Sequence, residues 1–224
     1  DLLVQAYAVI SGVADGERAA ICLKTAENLI DQKAGIIKLL YPPLSSESYL
    51  GYISDYPEGM RENGGQYTHA AMWYLIALTL IGKQDFAFEL FQMINPVEKC
   101  SNKEKSDRYM GEPYVLSGDV YSNKDNYGRV GWTWYTGSAG WAYKLITEYF
   151  FGLKKRGDFL YIEPKLPKKL ENSTVVFKYE NSTYYIEYKT GLCPKITMDG
   201  ERVEKIPLKP NLRCKITVET GFRE

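Results

Sequence analysis

The sequence predicts a mainly α-helical chain that ends in an all-β part, with the change near residue 153. Two observations predict it. Apolar residues recur at helical spacing through the first two-thirds. After Lys154-Lys155-Arg156-Gly157 the chain breaks into short β-branched and aromatic runs, divided by turn pairs such as Glu180-Asn181 and Asp199-Gly200. The expected domains are therefore 1–153, helical, and 154–224, a small antiparallel β-sandwich or its remnant.

The helices follow in order. Leu2, Leu3, Ala6, Val9 and Ile10 form one apolar face, and Gly12 offers a stop. Asp15 is placed to cap a second helix through about Leu29, with Ala19, Ala20, Leu23 and Ala26 inward. From Gln32 to Gly59 prolines and serines break regular structure, and long loops of this kind are commonly functional. Further helices are predicted from about Gln66 to Leu80, Asp85 to Ile94, Lys103 to Tyr109 and Pro113 to Val120. The last covers Ser138 to Gly152, with Ala139, Ala142, Tyr143, Ile146 and Phe150 buried. Strands are predicted at 159–162, 175–179, 184–188, 195–198 and 214–218. Antiparallel helices with glycine-rich, aromatic loops fit an α/α toroid, of which this chain supplies about half the helices. A helix that starts directly at Asp1, without Met or leader, suggests a piece cut from something longer.

Composition excludes several function classes. The 28 basic and 28 acidic side chains cancel, so no net field draws the chain to nucleic acid or an anionic membrane. No apolar run is long enough to span a bilayer. Cys22, Cys100, Cys193 and Cys214 are scattered without partner ligands, which argues against a metal site and for a reduced, cytoplasmic setting; Cys193 and Cys214 alone could lie on neighbouring strands. Nineteen Tyr and four Trp offer flat apolar faces with polar tips, suited to sugars, although helix packing uses the same residues.

Two segments load polar groups onto helix starts. In Arg61-Glu62-Asn63-Gly64-Gly65-Gln66-Tyr67-Thr68-His69-Ala70 the glycine pair lets backbone approach a ligand, and the helix that follows offers free N–H donors to an anion. His69, the only histidine, lies in its first turn and can give a hydrogen bond or a positive charge. A tight turn into a buried helix explains the same pattern. In Gly131-Trp132-Thr133-Trp134-Tyr135-Thr136-Gly137-Ser138 the aromatics can wall a pyranose ring, and Thr136-Gly137-Ser138 can present hydroxyls and amides. Glu112 and Asp119 are candidate acids or bases that nothing in the sequence pairs. There is no P-loop and no G-x-S-x-G elbow.

These two segments, with Tyr56-Pro57-Glu58-Gly59-Met60 before the first and Glu112-Pro113-Tyr114-Val115 between them, resemble glycoside hydrolase family 94, formerly glycosyltransferase family 36. The family includes cellobiose and chitobiose phosphorylases and the C-terminal region of cyclic β-1,2-glucan synthase, to which the chain looks most similar. The resemblance covers residues 1 to about 170. It implies an (α/α)6 barrel, here its second half, followed by a small β-domain. It implies inverting phosphorolysis of a β-linked gluco-oligosaccharide, with inorganic phosphate as co-substrate and no other cofactor. His69, Thr136 and Gly137 match the phosphate-contacting positions; Glu62, Trp134 and Tyr135 fall on the sugar side. A homodimer is among the assemblies it allows. The family's general-acid aspartate lies in an Asp-Trp-Asn-Asp-type motif upstream, and this chain has none, so the chain alone is expected to be inactive. A non-catalytic carbohydrate-binding module and an inverting hydrolase on the same fold are the competing expectations.

Overall fold

The computed structural model describes residues 1–45, 50–134 and 136–221. Its two compact units are Asp1–Leu145 and Ile146–Glu224.

The first unit is built around one helix. α1 (Leu2–Ile10) begins with Asp1 Oδ1 accepting the Val4 N–H, which satisfies one orphan donor of the first turn. α2 (Gly16–Ala26) has Asp15 at its cap position without a side-chain bond, and it buries Ala19, Leu23 and Ala26 while Ala20 stays exposed. A 3-10 turn, Glu27–Leu29, takes the place of the predicted last turn. β1 (Ile30–Asp31) and β2 (Ile36–Ile37) then pair antiparallel. Next come β3 (Gln66–Tyr67) and α3 (Thr68–Leu80), so the helix starts two residues later than predicted because Gln66 and Tyr67 are held in a β ladder. Ala70, Ala71, Met72, Tyr74, Leu75, Ile76, Ala77 and Leu78 of α3 are all fully buried. A helix apolar on every side belongs in the middle of a core. Tyr74 satisfies its hydroxyl there by donating to the Leu23 carbonyl, 3.2 Å away.

α4 (Gln84–Ile94), α5 (Pro96–Lys99) and α6 (Lys103–Tyr109) follow, the last two capped by Asn95 and Asn102 side chains. The helix predicted over Pro113–Val120 does not form. The Gly118 N–H donates to Trp132 O, and Gly118 O accepts the Thr68 N–H, so long-range partners claim the backbone groups a helix would use. β4 (Asp119–Val120) pairs with β3 instead. α7 (Ser138–Lys144) buries Ser138 and Ala142, with Leu145 buried just beyond it; of the predicted face Ala142 and Phe150 are buried, while Ala139 and Tyr143 are exposed. The following six residues, Leu145–Phe150, form a π turn, whose wider winding shifts the apolar stripe.

Lys99 crosses this unit to donate to Ala34 O at 2.6 Å. Burial, with Arg108 and Lys105 close by, pulls its ammonium down to about 8. The folded value lies below that of the free side chain, so its share of stability is present above about pH 10.4 and is lost as pH falls through 8. Between those limits the unfolding free energy of the wild type should rise relative to Lys99→Met by on the order of 3 kcal/mol. Parallel pH profiles for the two proteins in urea titrations would contradict this.

The second unit opens with the hairpin β5 (Leu153–Arg156) and β6 (Phe159–Ile162). β7 (Thr174–Tyr179) and β8 (Ser182–Gly191) form another, turned by Glu180 at positive φ. β9 (Lys195–Met198) and β10 (Glu201–Arg202) flank the Asp199-Gly200 turn, and β11 (Ile206–Pro207) and β12 (Arg213–Gly221) complete the set. The sheets run β10-β9-β12-β8-β7 and β11-β6-β5. Tyr184, Ile186 and Tyr188 of β8 and Cys214, Ile216 and Val218 of β12 alternate inward, joining Leu160, Ile162, Leu166 and Ile206 in one core.

The larger sheet is mixed, which corrects the expected antiparallel arrangement. β8 and β12 are parallel over nine pairs, from Arg213↔Thr183 to Gly221↔Gly191. Residues 192–212 carry the chain back before β12 begins, as a parallel pairing requires. Cys193 and Cys214 are both free thiols. Lys195 pairs with Glu219, so Cys193 sits near the far end of β12, several residues from the buried Cys214.

Candidate functional site

The site is assembled where β3 and β4 bring the two polar segments together. Asn63, fully buried, anchors the first. Its Oδ1 accepts the Leu44 N–H at 2.7 Å, and its Nδ2 donates to Leu44 O and Tyr56 O at 2.9 and 2.8 Å. The glycine pair beside it packs against the chain itself rather than opening to a ligand, as the turn reading allowed. A Cβ on Gly64, at φ +90°, would stand 2.8 Å from Pro43, and one on Gly65 2.6 Å from Arg61 O. That close packing lifts Arg61 and Glu62 onto the surface of a cavity. The Arg61 guanidinium lies 5.2 Å from the Tyr56 ring and 5.0 Å from the Trp132 ring, with Nε 3.7 Å from Glu62 Oε2.

The cavity encloses about 600 Å³ and is walled by Arg61, Glu62, Tyr67, Gly118, Asp119, Trp132, Trp134, Thr136 and Gly137. That is within the range of small-molecule sites. Trp134, at φ 64°, is largely exposed, and its indole N–H donates to Glu112 at 2.9 Å, which holds that carboxyl below its ordinary range. Glu112 is therefore a partner of the tryptophan, and it stands outside this wall. Asp119 stands on it. It is 5% exposed; Oδ1 accepts the Trp132 N–H at 2.7 Å, while Oδ2 has no partner among the described residues. Burial raises its pKa.

Thr136 Oγ1 accepts the Ser138 N–H at 3.1 Å and donates to Ser138 Oγ at 2.8 Å, so it must turn from Ser138 to donate to an anion. α7 has only seven residues before the π turn, which weakens the helix-terminus argument made for Thr136-Gly137-Ser138. His69 lies behind Gly137: a Cβ there would stand 3.1 Å from Nδ1. Its ring stacks on Tyr67 at 5.9 Å and meets Trp73 edge-on at 4.9 Å and Trp141 at 5.7 Å. Burial among these rings lowers its pKa, so the imidazole is neutral near pH 7, and Nε2 has no partner among the described residues.

Of the residues the sequence singled out, Glu62, Trp134, Thr136 and Gly137 share one wall, and His69 abuts Gly137 without itself lining the cavity. Tyr135 lies outside the described residues. Tyr67 was not singled out, and Asp119 was noted only as an unpaired acid. The β3–β4 register, Tyr67↔Asp119, places them opposite each other. Among the described residues no group of three His, Cys, Asp or Glu is placed to hold a metal ion, and no helix is long and apolar enough to cross a membrane.

The model of the glycosyl hydrolase 94 superfamily catalytic domain matches residues 1–152. The chain belongs to that superfamily. Among curated relatives, cyclic beta-(1,2)-glucan synthase NdvB of Rhizobium meliloti (strain 1021) is 39% identical over 83% of this chain and 7% of its own length. Solabiose phosphorylase of Paenibacillus borealis is 30% identical over 89% of this chain and 26% of its own. N,N'-diacetylchitobiose phosphorylase of Vibrio proteolyticus is 27% identical over 80% and 22%. This glycosyl hydrolase 94 chain thus spans under a third of the length of each of these relatives, and its family is one of carbohydrate-active enzymes that includes glycoside phosphorylases.

Proposed function

We propose that this chain is the C-terminal part of an inverting glycoside phosphorylase, with residues 1–153 forming the second half of an (α/α)6 toroid and 154–224 its β-domain. The reaction is attack of inorganic phosphate on the anomeric carbon of a β-linked gluco-oligosaccharide, giving α-glucose 1-phosphate. The observation that carries this reading is the cavity itself, where a tryptophan- and carboxylate-lined wall runs up to Gly137 and the His69 behind it. Exposed apolar residues on the helices, among them Val4, Tyr7, Ile21 and Tyr143, support a toroid completed by further helices.

In this mechanism Glu62, Trp134 and Tyr135 hold the sugar, and His69, Thr136 and the Gly137 backbone hold phosphate in line with the bond to be broken. Phosphate is the nucleophile, so these residues act by position and by offsetting charge. The proton donor to the leaving oxygen comes from sequence upstream of Asp1, and the chain alone does not turn over. The test is product analysis with the full-length protein on cello- and sophoro-oligosaccharides. Glucose 1-phosphate should form only with phosphate present. Release of free glucose without phosphate would overturn the reading in favour of a hydrolase, and binding without any turnover in favour of a module.

A further inference from the structure

The described wall of the cavity carries two carboxylates, Glu62 and Asp119, and one cation, Arg61. Arg61 is engaged by Glu62 and by two aromatic faces. Each of the three has one buried atom without a hydrogen-bond partner among the described residues, Arg61 Nε, Glu62 Oε2 and Asp119 Oδ2, and Asp119 is the most deeply buried of them. A carboxylate nine-tenths buried normally has every oxygen bonded, because an unmet buried acceptor costs about 1–3 kcal/mol and more when charged. Here one oxygen is fixed by the Trp132 backbone and the other has nothing. Position 131 is glycine, and a Cβ there would stand 2.5 Å from Oδ2 and 2.5 Å from the Tyr121 hydroxyl, which flanks that oxygen without bonding it. Asp119 lines the cavity, so a ligand bound there is the candidate donor for this buried oxygen.

We infer that Asp119 is a substrate-positioning residue that accepts a hydrogen bond from a sugar hydroxyl through Oδ2, and that with Glu62 it selects neutral sugars over sugar acids. The inference rests on the carbohydrate site proposed above. A hydroxyl meets the acceptor with a charge-assisted bond. A uronic or aldonic carboxylate brings a further negative charge to a wall that already has an excess of one, and the wall's single cation, Arg61, already faces Glu62 at 3.7 Å and two aromatic rings, although its Nε makes no hydrogen bond. The buried charge also says what removing it does to folding. The folded pKa of Asp119 is raised, so its contribution to stability is present only well below neutral pH and is lost as pH rises.

The experiment compares full-length wild type with Asp119→Asn and Asp119→Ser, measuring KM and kcat for neutral gluco-oligosaccharides, KM for phosphate, relative rates on the matching sugar acids, and thermal unfolding at pH 7. Both variants keep a polar group for the Trp132 N–H and remove the free anionic oxygen. A sugar KM raised about tenfold or more is expected. With it go a phosphate KM within about twofold of wild type, a narrower preference for neutral sugars and no fall in melting temperature. A sugar KM within about twofold of wild type in both variants would overturn the inference. So would loss of folding in both, which would assign the carboxylate to structure alone. If wild type splits the sugar without phosphate, the phosphorylase reading fails, and the sugar KM comparison still decides the role of Asp119.

Discussion

His69→Ala in the full-length protein should raise the KM for phosphate by about two orders of magnitude while leaving the sugar KM nearly unchanged. The size follows from one hydrogen bond to a charged group, about 1.5–3 kcal/mol. The selectivity follows from geometry: the ring abuts Gly137 and is separated by that residue from the wall that carries Glu62 and Trp134. Its Nε2 has no partner among the described residues, so alanine strands no known protein group, and the loss should fall on ligand binding. Because burial lowers the His69 pKa, the imidazole is neutral near pH 7; in the phosphate role proposed for it, it would serve there as an uncharged donor and gain positive charge only as pH falls below the ordinary imidazole range. The ratio of wild-type to variant phosphate affinity, which cancels the titration of phosphate itself, should therefore grow as pH is lowered below the ordinary imidazole range. His69→Gln, which can place an amide near Nε2, should recover part of the loss at pH 7 and none of this pH dependence. An unchanged phosphate KM in the alanine variant would remove His69 from the site.

How much of this was legible depends on how local the cause is. α1 and α4 follow from apolar spacing and nearby punctuation, Gly12 and Asn95-Pro96, while α6 has one aromatic residue in a charged run and is started by the Asn102 side chain, a local cap. The segment Pro113–Val120 reads as helix by itself but is a turn and loop that ends in β4, with the Gly118 backbone bonded to Thr68 and Trp132, far away in sequence. β5, Leu-Lys-Lys-Arg, holds a single apolar residue and was hidden in the charged run that marks the boundary. The parallel pairing of β8 with β12 could not be read either, since both strands show the same alternation whichever way they run. At the site, residue types were legible and relations were not. Glu62, Trp134, Thr136 and Gly137 could be named from their segments, but only the β3–β4 ladder puts Asp119 across from Tyr67. The glycine pair shows the limit most clearly, because what approaches Gly64 and Gly65 is the chain itself.

Asn63 is where that packing is most exposed to a single change, and Asn63→Ala should cost about 3–5 kcal/mol of stability. The residue has no accessible surface, and one amide group serves three backbone groups: the Leu44 N–H, Leu44 O and Tyr56 O. Alanine leaves all three in a part-buried place with no replacement, and each stranded group costs about 1–3 kcal/mol, reduced where water can reach it. Asn63→Asp sharpens the test because it conserves shape. Its carboxylate can still accept from Leu44, but it turns an acceptor toward two carbonyl oxygens and buries a charge without a counter-ion, so it should be at least as destabilising as alanine. Urea titration of the full-length protein gives the stabilities, and sugar KM gives the second readout. The turn Asn63 holds closes through Gly59 N–H to Asn63 O and Asn63 N–H to Met60 O, and it carries Arg61 and Glu62. Loosening it should therefore raise the sugar KM in either variant wherever the protein still folds. An aspartate variant as stable as wild type would mean that the loop from Leu44 to Asn63 is not held by this amide, and the placement of Glu62 on the cavity wall would need another cause.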